Sequence, residues 1–387
     1  MAPGKDPLPE SWRESDPVWG VLGVRRAGRL PERADVLVIG GGITGVSLLY
    51  WLRGRARAVL VERHHLAAGA SGRNAGFLLA GVAACYAEAV RRYGRHRARE
   101  TWAFTAETHD LLAVALQGRE VGYRRTGSQL LPASQEEAAE LAASAELLRE
   151  DGFEATWDGE RLLNPRDGEL DPVRAVSALA ELAPTGSIRE GVKVEALEAS
   201  PGGVRVFAGP DECLAGAVVL ATNAYTPLLL PEVGIAPVRA QMLATGPERR
   251  RLVDMPTYSE RGFRYWRQLP DGRLLAGGFR HRALEEEVGY EAVTTARVQG
   301  LLEGEVRRLG AQAPIATRWS GIMGFTETEL PVVGPVAGRP GIWVCGGYSG
   351  HGMGFAFQCA RLLADRLTGP SRETQMGSSS STTGSPQ

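Results

Sequence analysis

Ala34-Asp35-Val36-Leu37-Val38-Ile39, Gly40-Gly41-Gly42-Ile43-Thr44-Gly45 and Val46-Ser47-Leu48-Leu49-Tyr50-Trp51-Leu52 follow one another without a gap. A short β-branched run, a glycine turn and an apolar helical segment are thus joined in the order strand, turn, helix. The frame Gly40-x-Gly42-x-x-Gly45 is the dinucleotide fingerprint. Its first glycine permits the tight turn, its second lets a pyrophosphate approach the backbone, and its third lets helix pack on strand. The N–H groups at the helix start then face the phosphates. A second strand-like run, Ala58-Val59-Leu60-Val61, ends in Glu62, seventeen residues after Gly45. A carboxylate there accepts hydrogen bonds from the ribose hydroxyls of an adenosine. The order predicts binding of an ADP moiety and leaves NAD and FAD open.

The rest of the chain is ordinary in composition and rich in turns. Its 387 residues suit two domains or two lobes on one core. Hydrophobic residues make up 43% and charged residues 23%, as in a globular protein, while 49 glycines and 23 prolines predict many tight turns. Forty-four Lys+Arg against 45 Asp+Glu give no overall field to attract nucleic acid or an anionic membrane. Cys85, Cys213, Cys345 and Cys359 have no CxxC spacing and read as reduced thiols in a cytoplasmic protein. The N-terminus has no apolar signal region, no run approaches the length of a membrane span, and no metal-spaced His/Cys cluster occurs. The cluster Arg91-Arg92-Tyr93-Gly94-Arg95-His96-Arg97 is interleaved with Glu88 and Glu100, so it reads as a solvated helix face rather than an RNA contact.

Taken in order, residues 1–33 read as an extended arm anchored by Trp12 and Trp19. The small-residue loop Gly69-Ala70-Ser71-Gly72-Arg73-Asn74-Ala75-Gly76 follows the fingerprint unit. It lets backbone crowd a phosphate or a planar ring. Helices are predicted over 86–118, over 134–150 with Ser134 and Glu137 as a capping box, over 172–183 and over 291–309. Strands are predicted over 123–132, 192–194, 217–221, 235–245, 263–269, 273–279 and 342–345. The last of these leads into Gly346-Gly347-Tyr348-Ser349-Gly350-His351-Gly352-Met353-Gly354 and a final helix to about Leu367. The Ser/Thr/Gly-rich tail 370–387 reads as disordered.

The pieces Ala34–Glu62, Gly69–Phe77, Ala221–Pro227 and Trp343–Phe355 resemble the D-amino-acid-oxidase family of FAD oxidoreductases. The Gly69–Gly76 run, the Thr222-Asn223-Ala224-Tyr225-Thr226-Pro227 corner and the Pro9-Glu10-Ser11-Trp12 arm are most similar to its γ-glutamylputrescine oxidase-like branch, beside the glycine and sarcosine oxidases. The resemblance implies an α/β (α+β) chain with a Rossmann-like FAD-binding domain of the glutathione-reductase type. An inserted antiparallel-sheet substrate domain completes it. The FAD-binding domain is then discontinuous (34–85, 170–232, 319–369), and 86–169 with 233–318 form the substrate cap.

The implied cofactor contacts are Gly40, Gly42, Ile43, Thr44 and Gly45 at the pyrophosphate, with Glu62 and Arg63 at the adenosine ribose. Ala70, Ser71, Arg73, Asn74, Ala75 and Gly76 line pyrophosphate and flavin, Val194 the adenine, and Thr222 the diphosphate. Gly347, Gly350, His351, Gly352, Met353 and Gly354 bring a helix start to the flavin. Its positive end there stabilises charge developing at N1–C2=O on reduction. His351, Arg264, Tyr265 and Tyr348 are the catalytic candidates; Arg280 and His281 are weaker ones.

Departures from the family narrow the chemistry. Trp319-Ser320-Gly321-Ile322-Met323-Gly324 lacks the cysteine through which sarcosine oxidases tether FAD, so the cofactor is expected to be non-covalent. Leu274-Leu275-Ala276 stands where relatives carry an oxygen-activating lysine, Gly354 where they carry a substrate lysine, and Met323 where glycine oxidases carry an arginine. A simple α-amino acid loses its anchors. An amine or larger N-substituted amino compound, oxidised at its C–N bond to an imine that hydrolyses, fits better, with oxygen or a quinone-type acceptor taking the electrons. A glycine/sarcosine-type amino-acid oxidase and a flavin-binding protein without amine oxidation are the alternatives. A flavin monooxygenase is disfavoured because Gly346–Gly354 contains no aspartate.

Overall fold

The computed structural model describes residues 15–20 and 26–369. The anchor Trp12, the Pro9–Trp12 resemblance and the tail 370–387 lie outside the described residues. Trp19 anchors as expected, its Nε1 donating to Asn74 O at 2.8 Å.

Two eight-stranded sheets dominate. The first has a parallel centre. Arg33–Ile39 lies between Asp211–Leu220 and Ala58–Glu62, with Ile188–Glu190 outside the latter and Ile342–Gly346 outside the former. Parallel strands are covered on both faces, which is why Val36–Ile39 and Val218–Leu220 are uninterrupted apolar runs, all buried. The helices Ile43–Leu52 and Gly352–Thr368 pack together on one face. Trp51 Nε1 donates to Phe357 O at 2.9 Å and the two rings lie 5.0 Å apart.

The second sheet is mainly antiparallel, in the order Ile315–Phe325, Ala236–Pro247, Arg273–Gly278, Arg264–Gln268, Thr257–Ser259, Ser128–Leu131, Leu162–Asn164, Thr156–Trp157. Helix Ala296–Arg308 covers one face, burying Val298, Leu302 and Val306 against Leu243, Trp266 and Leu274. The other face looks back towards the glycine turn.

Several expected elements change shape. The predicted helix 86–118 is two, Tyr86–Tyr93 and Arg95–Ala115, because Gly94 at φ 80 breaks it. Residues 192–194 form no strand; the partner of Ala58–Glu62 is Ile188–Glu190. The predicted strand 123–132 shortens to Ser128–Leu131, and the helix expected from Glu291 starts at Ala296. Ile315–Phe325 has no counterpart in the sequence reading, since glycines at 321 and 324 obscure its alternation. At the predicted capping box, Ser134 Oγ accepts from Glu137 N at 3.1 Å. Glu137 Oε2 reaches past the cap to Ala133 N at 2.7 Å, and Oε1 accepts from Arg261 N at 2.7 Å, tying this helix to a turn of the second sheet. The basic cluster is met by acids: Arg92 pairs with Glu329 at 2.7 Å and Arg95 with Glu150 at 2.8 Å.

Candidate functional site

A cavity of about 1170 Å³ runs between the two sheets, from the glycine turn to Tyr265 and His351. Gly40 makes the turn at φ 116, where a Cβ would lie 2.7 Å from Ala221 O. A Cβ on Gly42 would meet Ser71 Oγ at 2.8 Å. Ser71 Oγ in turn accepts from Ile43 N at 2.9 Å, so the loop after the second strand caps the helix of the fingerprint. Thr44 Oγ1 lies 2.8 Å from the Tyr348 hydroxyl. First-turn N–H groups of a helix have no carbonyl of their own helix to bond, and Ile43 and Thr44 both line the cavity. Gly45 does not line it: a Cβ there would sit 1.9 Å from Gly40 O, so Gly45 serves helix packing behind the turn.

Glu62 holds the turn as well as facing the cavity. Its Oε2 accepts from Gly41 N at 2.7 Å and its Oε1 from His64 N at 2.8 Å. Each carboxylate oxygen keeps a further lone pair for a ribose hydroxyl. Arg63 is exposed, with Cζ 4.3 Å over the Tyr225 ring, and Tyr225 stacks on Tyr290 at 5.6 Å. Val194 and Thr222 line the same end.

The loop 69–76 is knotted by its own side chains. Asn74 Nδ2 donates to Ala70 O at 3.0 Å and Ser71 O at 2.9 Å, while its Oδ1 accepts from Gly76 N at 2.7 Å. Arg73 Nη1 donates to Ser320 O at 2.7 Å, and Trp319 Nε1 to Arg73 O at 3.0 Å, locking the loop to the second sheet. Ala70, Ser71, Arg73, Asn74 and Ala75 line the cavity. Gly76 does not: its carbonyl accepts from Arg267 Nη1 at 3.0 Å and from Leu170 N at 2.9 Å. Gly347 is likewise off the lining, its N–H donating to Asn223 Oδ1 at 2.9 Å. Gly350, Gly352, Met353 and Gly354 do line it, at the start of the last helix. A side chain at 354 would meet Leu79 O at 2.7 Å, so this backbone has no room for one.

The catalytic candidates separate. Arg264 points away from the cavity and is paired with Glu260 at 3.1 Å and Glu305 at 3.4 Å; strand alternation puts Tyr265 on the opposite face. That corrects the assignment of Arg264. Arg267, two residues on from Tyr265, lies under the wall rather than on it. Its Nη1 donates to Ala75 O, Gly76 O and Leu170 O, each at 3.0 Å, and its Nε lies 3.0 Å from Glu169 Oε2, a pair held by charge. Tyr348 lines the cavity, but its hydroxyl is occupied by Thr44 and approaches Cys345 Sγ at 3.5 Å. Burial raises the Tyr265 hydroxyl to about 12 and lowers the His351 imidazole to about 4, so both are neutral at pH 7. His351 Nδ1 is buried without a hydrogen-bond partner.

Tyr258 was missed. It lines the cavity 5.9 Å from Tyr265 and 6.0 Å from His351, ring to ring. Its three-residue strand Thr257–Ser259 carries no pattern that could have announced it.

The residues present fit an extended dinucleotide: a glycine cradle that a Cβ would fill, an acid at one end, and a second helix start at the other. Residues 35–366 match the family described as FAD dependent oxidoreductase (DAO). The chain belongs to this family. Members are FAD flavoproteins, and the chain is an FAD-dependent oxidoreductase.

It is 26% identical over 375 residues to the probable oxidoreductase OrdL of Rhizobium meliloti, covering 89% of this chain and 85% of that protein. It is 28% identical over 337 residues to the tRNA 5-methylaminomethyl-2-thiouridine biosynthesis bifunctional protein MnmC of Maricaulis maris, covering 86% of this chain. There it spans about half of the relative's length, 52%. Among solved structures, glycine oxidase from Geobacillus kaustophilus has the same fold, with TM-score 0.74 and 21% identity over 89% of this chain and 97% of that one. L-Proline dehydrogenase from P. horikoshii has TM-score 0.74 at 20% identity, over 89% and 96%. Among the described residues, no helix is long and apolar enough to cross a membrane.

Proposed function

We propose that this chain oxidises the C–N bond of an amine or N-substituted amino compound, giving an imine that hydrolyses. The observation that carries the reading is the continuity of one cavity from the Gly40–Thr44 turn to the Tyr258 and Tyr265 side chains of the opposite wall, with His351 at the start of the last helix beside them. Bound FAD supplies a hydride acceptor at N5. The chain's own residues do the rest. The start of helix Ile43–Leu52, with Gly42 and Ser71, holds the pyrophosphate, and Glu62 the ribose. The start of helix Gly352–Thr368 lines the same cavity, and its positive end and first-turn N–H groups would stabilise negative charge on the flavin when it is reduced. Tyr265, Tyr258 and neutral His351 surround the substrate carbon and exclude water; none is a strong base at pH 7. The amine itself therefore arrives neutral, since a protonated nitrogen has no lone pair to assist hydride loss, and the reduction rate rises with pH through the bound amine's pKa.

Non-covalent FAD is supported by the lining, which contains no cysteine among the described residues. Among the described residues the cavity lining has a lysine only at Lys193, beside Val194 and far from the Tyr265 end, which supports slow reoxidation by oxygen relative to a quinone-type acceptor. The division into an FAD-binding part and a cap at 86–169 and 233–318 is supported by the two sheets. We move the end of the cap past Phe325, because Ile315–Phe325 pairs along Ala236–Thr245. Four free thiols support a cytoplasmic location.

Anaerobic addition of amines and N-substituted amino compounds to the purified yellow protein tests the proposal. Bleaching of the flavin band by at least one of them is expected; a flavin bleached by dithionite alone would overturn it.

A further inference from the structure

Behind Tyr258 and His351 lies a second, smaller chamber of about 30 Å³. Leu79, Ala83, Tyr258 and His351 border both spaces, so the two aromatic side chains form part of the partition between them. Asp167 stands in the wall of the chamber. It is 3% exposed and has no ion-pair partner among the described residues. Arg125, the cation that acts on it through space, is paired with Asp110 at 2.6 Å. Asp167 Oδ1 accepts from Ala80 N at 3.0 Å, and its Oδ2 from Ser128 Oγ at 2.6 Å. An asparagine would serve both partners, its oxygen accepting from Ala80 N and its amide donating to the serine hydroxyl. It would also avoid the cost of a buried carboxylate. The fold alone therefore gives no reason for an ionisable group at this position.

The chamber is the right size and polarity for water. A buried water needs roughly 10–15 Å³ of such space and about two to four polar partners, so there is room for about two. Asp167, Tyr258 and His351 supply partners, and His351 Nδ1 is buried with none of its own. The remaining titratable groups of the chamber are Cys85 and Tyr86, whose hydroxyl donates to Asp151 at 2.5 Å. Burial raises the Asp167 carboxyl to about 7, so near neutral pH it exists in both forms. Burial above all, with Tyr265 and Asp167 acting through space, raises the Tyr258 hydroxyl. That hydroxyl stays protonated and passes a proton on only by giving one up as it takes one.

We propose that Asp167 is the proton acceptor for the substrate nitrogen, reached from the large cavity through the Tyr258 hydroxyl and water in the chamber behind it. This rests on the amine-oxidising reading of the cavity. An N–H bond of the bound ammonium breaks and its proton passes to Tyr258 Oη. The Tyr258 proton moves to chamber water, and a proton of that water forms the O–H bond of the Asp167 carboxyl. Charge balances: an ammonium and a carboxylate become a neutral amine and a neutral acid, and no electron moves. An amine that enters as its ammonium thus also reaches the hydride step neutral, in a site where no wall residue is a strong base. The rise of reduction rate with pH then begins near neutral pH, where Asp167 ionises, and not only at the pKa of the amine.

The test has two readouts on the FAD-loaded protein. The first, without substrate, is an infrared pH titration that follows the C=O stretch of protonated carboxyl groups. One such band is expected to titrate near neutral pH in the wild type and to be missing from Asp167→Asn. The second is anaerobic stopped-flow reduction across pH 6 to 9, with whichever of putrescine, sarcosine and N-methylbutylamine reduces the flavin fastest. The wild-type rate rises through about pH 7. In Asp167→Asn, and in Tyr258→Phe, which keeps the ring and removes the hydroxyl, that rise is lost and the rate at pH 8 falls about tenfold. It then tracks the neutral amine alone, at about tenfold per pH unit. The absence of a carboxyl titrating near neutral pH overturns the proposal before any substrate is added. So do pH profiles that superimpose on the wild type in both variants; the amine-oxidising reading then stands and only the relay falls. If no amine or N-substituted amino compound reduces the flavin, both fall together.

Discussion

The glycine turn and the start of the last helix present backbone to the cavity, while the antiparallel sheet opposite presents Tyr258, Tyr265 and Arg280. These two walls tolerate change differently. On the first, a Cβ at Gly40 lies 2.7 Å from a carbonyl oxygen, so the residue type is dictated by the path of the main chain. On the second, a tyrosine or arginine can be exchanged without moving a strand. In the proposed reading the backbone wall keeps the cofactor, and the side-chain wall is free to choose what is oxidised.

The sharpest way to break this comparison is Gly42→Val. The new side chain would displace Ser71 from its bond to Ile43 N and intrude where the pyrophosphate lies. FAD per protein, measured after acid precipitation, should fall more than about tenfold, which corresponds to upwards of ~1.4 kcal/mol. Wild-type flavin content would show that the turn does not hold the cofactor.

Arg267→Met probes the bolt between the walls. It leaves Glu169 buried beside one partner, Arg124, and frees the carbonyls of Ala75, Gly76 and Leu170. Removing one member of a buried pair costs roughly 3–5 kcal/mol. Thermal unfolding should shift down by several degrees; an unchanged midpoint would mean that the loop 69–76 needs no tie to the sheet.

Titration tests the walls in another way, through three groups displaced by burial: His351 at the start of the last helix, His109 and Asp167. His351 and His109 are both lowered to about 4, and Asp167 is raised to about 7, all by burial. Below pH 6.5 the unfolded chain binds protons that the buried histidines do not, so stability falls as pH drops towards 4. Asp167 acts in the opposite sense: its buried carboxylate is penalised above pH 7, and the penalty fades as pH falls and the folded state takes up a proton. Asp167→Asn should therefore be more stable than wild type at pH 8 and lose stability more steeply on acidification, by roughly 1 kcal/mol or more. Parallel denaturant midpoints from pH 8 to 5 would contradict this.

Ser71→Ala carries the smallest effect. Loss of the cap on Ile43 N should cost about 1 kcal/mol, read as a lower urea midpoint, with flavin affinity reduced in step.

How much could be read in the sequence follows the same division. Strand Arg33–Ile39, the glycine turn and Glu62 were legible because backbone geometry restricts residue types at fixed spacing. The loop 69–76 was legible for the same reason, though Gly76 turned out to support the wall from behind. Arg264 and Tyr265 are adjacent on one strand, and alternation placed them on opposite faces without saying which face was inside. Tyr258 left no trace, since a three-residue strand has no period. Arg280 reaches the cavity wall through the left-handed turn at Phe279, which no local propensity favours, so its direction could not be read from the sequence.

The most direct test of the central claim is an anaerobic single turnover in which flavin and carbonyl product are counted together. The holoprotein is mixed with an excess of an amine or N-substituted amino compound that bleaches it, the bleached flavin is measured, and the carbonyl product released by imine hydrolysis is trapped. The account predicts about one carbonyl product per flavin reduced, as two-electron C–N oxidation requires. Bleaching without carbonyl product, or no bleaching by any amine or amino compound, would contradict it.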